Sequence, residues 1–268
     1  MYAKAIVGFD GRSGGDDAQA LACALVGGHG QVVLAQVGDG DSDASSGSAR
    51  VVKIAARSVG EGLRRVAERQ GGELIVVGSC QRNALERVVA GDDARSVLHR
   101  AVCPVAIAPT GYGTSGRAIT TVGVAYNGSS ESMVAVAHAG LLAAQLGAGL
   151  IALSVVVPPM PTVGWGMSGG YLIDQESQLA EARERLGTLD GVELEFVIGT
   201  IYDELTAFSE RVDLIVCGSR HHNPAARIVL GSSGDHLARH AGCPLLVTPV
   251  ADEAAVTRWR EQRDATVA

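Results

Sequence analysis

The sequence predicts an α/β protein made of two similar halves, each a five-stranded parallel sheet covered by helices on both faces. Three observations carry this. Short continuous apolar runs alternate with helix-period segments along the chain, the pattern of strands buried on two sides. A long stretch recurs: ELIVVGSCQRNALERVVAGDDARSVLHRAVCPVAIAP at residues 73–109 and DLIVCGSRHHNPAARIVLGSSGDHLARHAGCPLLVTP at residues 213–249. Gly78 and Gly218, Gly91 and Gly231, Cys103 and Cys243, and Pro104 and Pro244 all stand 140 apart. Finally, 47% apolar and 19% charged residues suit a packed chain of one or two domains, and aromatics at 4% leave the core to Val, Leu, Ile and Ala.

In chain order, AIVGF reads as a first buried strand. The next helix carries Ala18, Leu21, Ala22 and Leu25 on one stripe. QVVLAQV (31–37) and VVKIAA (51–56) are strands two and three. Between them, residues 38–49 offer only Gly, Asp, Ser and Ala, so the first half is expected to lack a helix there. One face of its sheet is then short of cover, to be buried by the second half or by a partner subunit. GEGLRRVAERQ turns Leu63 and Val66 inward, and ELIVVG (73–78) is strand four. A helix broken near Gly91 follows, then PVAIAP as strand five.

GYGTSGRA (111–118) reads as a flexible joint, dividing a first domain (1–110) from a second (119–250) and a tail helix (251–268). TTVGVAYNGSSESMVAVA, from residue 120, resembles the N-terminal stretch, with Gly8 matched to Gly123 at an offset of 115. That places Ala125 level with Asp10. The second half carries about 25 extra residues: a loop, PPMPTVGWGMSGG, and a helix with Leu172, Leu179, Ala182 and Leu186 at helical spacing. Trp165 in that loop is read as a packing residue. PVAIAP and PLLVTP would each leave an apolar sheet edge, so they are expected to pair with each other, or with the same strands of a second chain.

A net charge of −7, from 22 basic and 29 acidic residues, argues against a nucleic-acid partner. No run of 18 apolar residues predicts a membrane span, and MYAKAIVGFDG reads as a strand instead of a leader. Five cysteines at wide spacing, with no CxxC, point to reduced thiols in a cytoplasm.

The order strand, DGS-like turn, helix, VVGS, G-[ST] and CPV, present twice, resembles the universal stress protein family in its tandem form, from about Ala5 to Pro249. The resemblance implies a Rossmann-like fold in a bacterial, cytoplasmic stress-response protein. It also implies association through the last strands as a pseudo-dimer or homodimer, and, in one subclass, ATP or AMP binding. That subclass carries Gly-x2-Gly-x9-Gly-[Ser/Thr]. Glycines let the backbone approach phosphate, and the helix that follows offers free N–H groups.

In the second half the motif reads Gly218-Ser219-Arg220-His221, then Gly231-Ser232-Ser233-Gly234, with His221 in place of the second glycine. In the first half it reads Gly78-Ser79-Cys80-Gln81, then Gly91-Asp92-Asp93. A carboxylate about 4 Å from a phosphate charge costs roughly 1–4 kcal/mol, so the first half should reject a triphosphate. The resemblance therefore places ATP or AMP in the second half: Gly218, Arg220, His221, Gly231, Ser232, Ser233 and Gly234 by the phosphates, Val156 by the adenine, Asn127 by the ribose. The family's nucleoside acid is matched by Asp10 in the first half.

The competing readings are an interaction or scaffold protein with degenerate sites, its regulatory partner unknown, and a weak ATP hydrolase. No catalytic constellation stands out. His236 and His240, an i, i+4 pair, are assigned to structure and not to metal, because Ser96 and Arg100 fill the same slots in the first half.

Overall fold

A computed structural model describes residues 2–11, 13–38, 42–46, 49–79, 88, 90–101, 103–158, 170–187, 189, 191–220, 230–250 and 252–267. Cys80, Gln81, Trp165 and His221 lie outside them, as does most of the loop before the tail-ward helix of the second half.

The first half runs β1 (Lys4–Gly8), α1 (Ser13–Val26), β2 (Gln31–Val37), β3 (Ser42–Ser46), β4 (Ala49–Ile54), α2 (Val59–Gln70), β5 (Leu74–Gly78), α3 (Asp92–Arg100) and β6 (Val105–Ala108). A helical turn, α4 (Tyr112–Ser115), leads into the second half. That half runs β7 (Thr121–Ala125), α5 (Ser130–Leu146), β8 (Gly149–Val156), α6 (Gly170–Leu186), β9 (Glu193–Ile198), α7 (Ile201–Ser209), β10 (Leu214–Gly218), α8 (Ser232–His240) and β11 (Leu245–Thr248), and α9 (Glu253–Val267) closes the chain.

The strands form one eleven-stranded sheet in the order β3-β4-β2-β1-β5-β6-β11-β10-β7-β8-β9. Pairing is parallel within each half, apart from β3 on β4. The halves meet where β6 and β11 pair antiparallel, Leu245 opposite Ile107 and Val247 opposite Val105. The two last strands thus consume each other's edges, and neither remains free for a second chain. Backbone bonds reinforce the seam: Val88 N–H donates to the Ala241 carbonyl (2.9 Å) and Ala90 N–H to that of Ala238 (2.7 Å).

Period-two alternation in the strands feeds two cores. Ile6, Ile75, Ile107, Ile215, Leu245 and Val247 face α2, α3, α7 and α8. Val7, Val76, Ala106, Val124, Val216 and Leu246 face α1, α5, α6 and α9.

Four expectations change. Residues 42–46, in the stretch expected to lack a helix, form an antiparallel edge strand, which the sequence reading did not foresee, paired through backbone groups with β4. The sheet face near β2 and β4 lies at the far end from the seam, so the second half does not cover it; there Leu34 is buried, and Val32 and Val51 are half-buried. The start of the joint at 111–118 is tied down: the buried Asp17 carboxylate accepts the Gly111 and Gly113 N–H groups (2.9 and 2.8 Å), holding α4 on α1.

The fourth concerns register. Ala5 sits opposite Leu74 as Val122 sits opposite Leu214. Leu74 and Leu214 are 140 apart, so the first strands correspond at an offset of 117, not 115. Gly123 occupies the place of Ile6 and leaves the room that Phe208 fills; a Cβ there would stand 2.6 Å from the Phe208 ring.

Candidate functional site

In each half the strand order reverses between strand one and strand four, at β1/β5 and β7/β10. Ligands of open α/β sheets bind in the crevice beyond the carboxyl ends of strands at such a switch point. In the first half this crevice is an open cleft of about 800 Å³. Phe9, Ala35, Val37, Val59 and Val77 form its apolar wall. Asp10, Ser79, Gly91, Asp92, Asp93 and Arg95 bring polar groups to it.

Gly78 and Gly218 close the inner ends of the two crevices by packing. A Cβ on Gly78 would run into the Gly14 carbonyl, and one on Gly218 into the Glu131 carbonyl. Both glycines are therefore required by the approach of the first helix of each half, whatever the crevice holds.

The facing helices α3 and α8 start alike. Their N-caps, Gly91 (φ −71°, ψ 179°) and Gly231 (φ −69°, ψ 173°), are extended, and neither has a side chain to cap the helix. First-turn N–H groups without such a cap are an anion-binding feature. In α3 that turn begins with the exposed pair Asp92 and Asp93; in α8 it begins with Ser232 and Ser233. Arg220 lies against Gly231, its Cδ and Nε 2.6 and 2.7 Å from where a Cβ would be. The structure thus brings together Gly218, Arg220, Gly231, Ser232, Ser233 and Gly234, while His221 lies outside the described residues.

The corrected register changes the strand-one end of the site. Phe9 N–H donates to the Ala35 carbonyl (3.0 Å) and Tyr126 N–H to that of Leu153 (2.9 Å). Asp10 and Asn127 then follow, and next come Gly11 and Gly128, both left-handed (φ 75° and 80°). Asn127, not Ala125, is the counterpart of Asp10. It is exposed, and its side-chain carbonyl accepts the Ser129 N–H at 3.0 Å. By the same register Val155, not Val156, matches the cleft-lining Val37, and both pack on the core that faces α2 and α7. Val156 ends β8, where its carbonyl accepts the Gly199 N–H (3.1 Å).

Sequence reading missed the difference between Ser79 and Ser219, because both follow a strand-four glycine. Ser79 Oγ donates to the Ala108 carbonyl at 2.8 Å. Ser219 is fully buried, and its Oγ has no hydrogen-bond partner among the described residues.

A family model described as the universal stress protein family matches residues 43–109 and 118–249. The chain belongs to this family. Universal stress proteins of Mycobacterium tuberculosis and Mycobacterium bovis are each 29% identical to it over 206 residues, spanning 72% of this chain and 70% of theirs. One from Methanocaldococcus jannaschii is 31% identical over 131 residues, 45% of this chain and 76% of that protein. Among solved structures, a universal stress protein from Archaeoglobus fulgidus matches with a TM-score of 0.63 at 17% identity, over 93% of this chain and 99% of its own. A functionally unknown protein from Pseudomonas aeruginosa matches at 0.65 and 13% identity, over 99% and 98%. These two likenesses show the fold, and nothing of the ligand.

Elsewhere in this universal stress protein, other reactive-looking groups are accounted for. Burial pushes the thiols of Cys103, Cys217 and Cys243 up to about 12, far from nucleophilic range. His236 stacks between Tyr202 and His240 (ring centroids 4.7 and 4.3 Å), and its Nε2 bonds the Thr206 hydroxyl at 2.8 Å. Burial, with His240 beside it, holds His236 below the usual imidazole range. His240 Nδ1 bonds the His236 carbonyl, so the pair does not converge on a common point as metal ligands do. Among the described residues no cluster of three metal-ligating side chains occurs, and no helix is long and apolar enough to cross a membrane.

Proposed function

We propose that this is a regulatory protein of the stress response that acts by binding, and that its second half holds an adenine nucleotide, ATP or AMP. One observation carries the reading: at three equivalent positions of two matching crevices, carboxylates in the first half are exchanged for neutral groups in the second. Asp10, Asp92 and Asp93 correspond to Asn127, Ser232 and Ser233. In the second half Arg220 adds a positive charge beside the same helix start. A phosphate there meets N–H groups, hydroxyls and a guanidinium, the Asp235 carboxylate of the same turn being paired with Arg95 and Arg239; in the first half it meets Arg95 and two carboxylates, each carboxylate costing roughly 1–4 kcal/mol at about 4 Å. Gly218, Arg220, Gly231, Ser232, Ser233 and Gly234 would face the phosphates, with Asn127 at the ribose and Val155 or Val156 at the base. His221 stands where the subclass motif has its second glycine.

The alternative is an interaction protein whose crevices are scaffold, binding an unidentified regulatory partner. It is favoured by one specific finding: Gly78 and Gly218 are fully explained by packing against the first helices. Mass spectrometry of anything released on denaturing the purified protein separates the readings. Titration calorimetry with ATP and AMP on the parent and Gly231→Asp then places the site. Binding that the variant loses supports the second-half site, and equal binding puts it elsewhere. A parent that binds neither nucleotide at millimolar concentration leaves the interaction reading standing.

A further inference from the structure

A separate cavity of about 40 Å³ lies at the seam, between the end of β6, the joint, and the starts of β7, β10 and β11. It shares no lining residue with the first-half cleft, and it lies at the opposite end of β7 and β10 from the second-half crevice. Pro109, Ile119 and Pro244 give it apolar walls. Its charged lining is one carboxylate, Asp213, and one guanidinium, Arg117. The half-buried Tyr112 also lines it, and the Tyr112 hydroxyl has no hydrogen-bond partner among the described residues.

The other end of the seam shows how such a place can be filled. By the 117-residue offset Ile119 corresponds to Tyr2, and by the 140-residue offset Asp213 and Pro244 correspond to Glu73 and Pro104. Tyr2 is buried there, its hydroxyl bonds His138, and His138 bonds Asp252. The same offsets make Leu21 the counterpart of His138 and Tyr112 that of Asp252. Two members of the polar chain are thus replaced by aliphatic side chains, and the third position holds a hydroxyl that nothing in the second end satisfies. Ile119 is also smaller than Tyr2, which leaves room at the wall. Asp17 grips Gly111 and Gly113 on either side of Tyr112, so the ring is held where it stands.

A hydroxyl without a partner costs free energy, and one beside an open cavity can be satisfied from outside the chain. At about 10–15 Å³ for each water-sized sphere, 40 Å³ holds roughly three non-hydrogen atoms. Asp213 Oδ2 accepts the Thr120 N–H and hydroxyl and the Thr121 N–H (2.9, 2.7 and 3.0 Å). No bond to its Oδ1 is found among the described residues. Burial raises the Tyr112 pKa and the Asp213 charge adds to it, so the phenol keeps its proton at neutral pH and lies within that carboxylate's field. An anionic ligand would face Asp213, and a cationic one would face Arg117. A carboxamide is uncharged, has three non-hydrogen atoms, and offers both a donor and an acceptor.

We infer that the seam cavity is a second binding site, taking the carboxamide end of a small uncharged ligand: its N–H donates to the Asp213 carboxylate, and its carbonyl accepts from the Tyr112 hydroxyl. This inference does not depend on the nucleotide reading.

The test titrates benzamide, benzoate and benzylamine, one ring with a neutral, an anionic and a cationic end, into the full-length chain at millimolar concentration, followed by amide NMR. Benzamide should move the Gly111 and Gly242 signals saturably, and the two charged probes should bind at least about ten-fold more weakly. Tyr112→Phe should weaken benzamide about five-fold or more. It should melt no earlier than the parent, because it deletes an unsatisfied group. Ile119→Tyr, which restores the side chain of the other end, should abolish binding. The inference is overturned if a charged probe binds as well as benzamide, or if Tyr112→Phe binds benzamide like the parent. It is also overturned if the shifts fall at Gly231 and Ser232 instead of the seam, or if no probe binds and the cavity holds water alone.

Discussion

In the first half, Asp10 follows the end of strand one and the facing helix opens with Asp92 and Asp93. In the second half the same places hold Asn127, Ser232 and Ser233. The backbones there agree closely, down to N-caps within a few degrees and left-handed glycines after strand one. The two crevices thus differ in charge on a shared frame. What the difference teaches is that the glycines of this motif do two separable jobs. Gly78 and Gly218 let a helix approach a strand and are needed in both halves. Gly91 and Gly231 leave helix starts uncapped, and there the next two side chains decide whether an anion is welcome.

The largest effect should come from the packing glycines. Gly78→Val and Gly218→Val each force backbone to move, and each should cost about 3 kcal/mol of unfolding free energy by denaturant titration. Similar losses in both halves would support a packing role. A loss confined to one half would show that the frames are not equivalent.

The ends of the halves differ as well. In the first, a carboxylate on the first helix, Asp17, grips the chain that follows the last strand. In the second the polarity is reversed. Asp252, at the start of α9, is gripped by His138 of α5 (3.0 Å), whose other nitrogen meets the Tyr2 hydroxyl (3.0 Å). Trp259 then packs where a Cβ on Gly140 would stand. The His138 bond, together with the Ala255 N–H, holds the Asp252 carboxyl below its ordinary value. A depressed carboxylate pKa adds stability that is complete above the unfolded value of about 3.9 and disappears as pH falls through the folded value. His138→Phe should therefore cost about 1–3 kcal/mol near neutral pH, by loss of buried hydrogen bonds. It should also flatten the acid limb of the stability curve below about pH 4. A parallel shift of the whole curve would contradict this assignment.

The smallest effect belongs to the contact that joins the two crevice helices. Arg95 of α3 meets Asp235 of α8 at 3.3 Å, with both side chains more than a third exposed. Arg95→Gln should cost under about 1 kcal/mol, and less in high salt. A larger loss in thermal melts would mean that the crevice walls depend on each other more than the exposed geometry allows.

Much of this was legible in the sequence. The 140-residue echo located strands four and five, the helices before strand five, and the pairing of the last strands, because all of these are written in apolar runs and glycines. Three features were not. The offset of strand one was misread because Gly8 and Gly123 look alike, whereas Gly123 actually stands in for Ile6 and makes room for Phe208. The edge strand at 42–46 is built from Ser, Asp and Ala, so backbone pairing left no apolar signal. Ser79 and Ser219 are identical in sequence and separated only by the direction their hydroxyls take.

The central claim is that charge at the helix start, not the backbone, assigns the anion to the second half. Exchanging it tests this most directly: titrate ATP and AMP into the parent, into Ser232→Asp with Ser233→Asp, and into Asp92→Ser with Asp93→Ser, following heat by calorimetry. The account predicts one site in the parent. The first double variant should bind at least ten-fold more weakly, as one carboxylate near a phosphate costs roughly 1–4 kcal/mol. The second should keep the parent's site, and any affinity it gains should lie in the first half. Unchanged binding in the Ser232→Asp, Ser233→Asp protein would contradict the account.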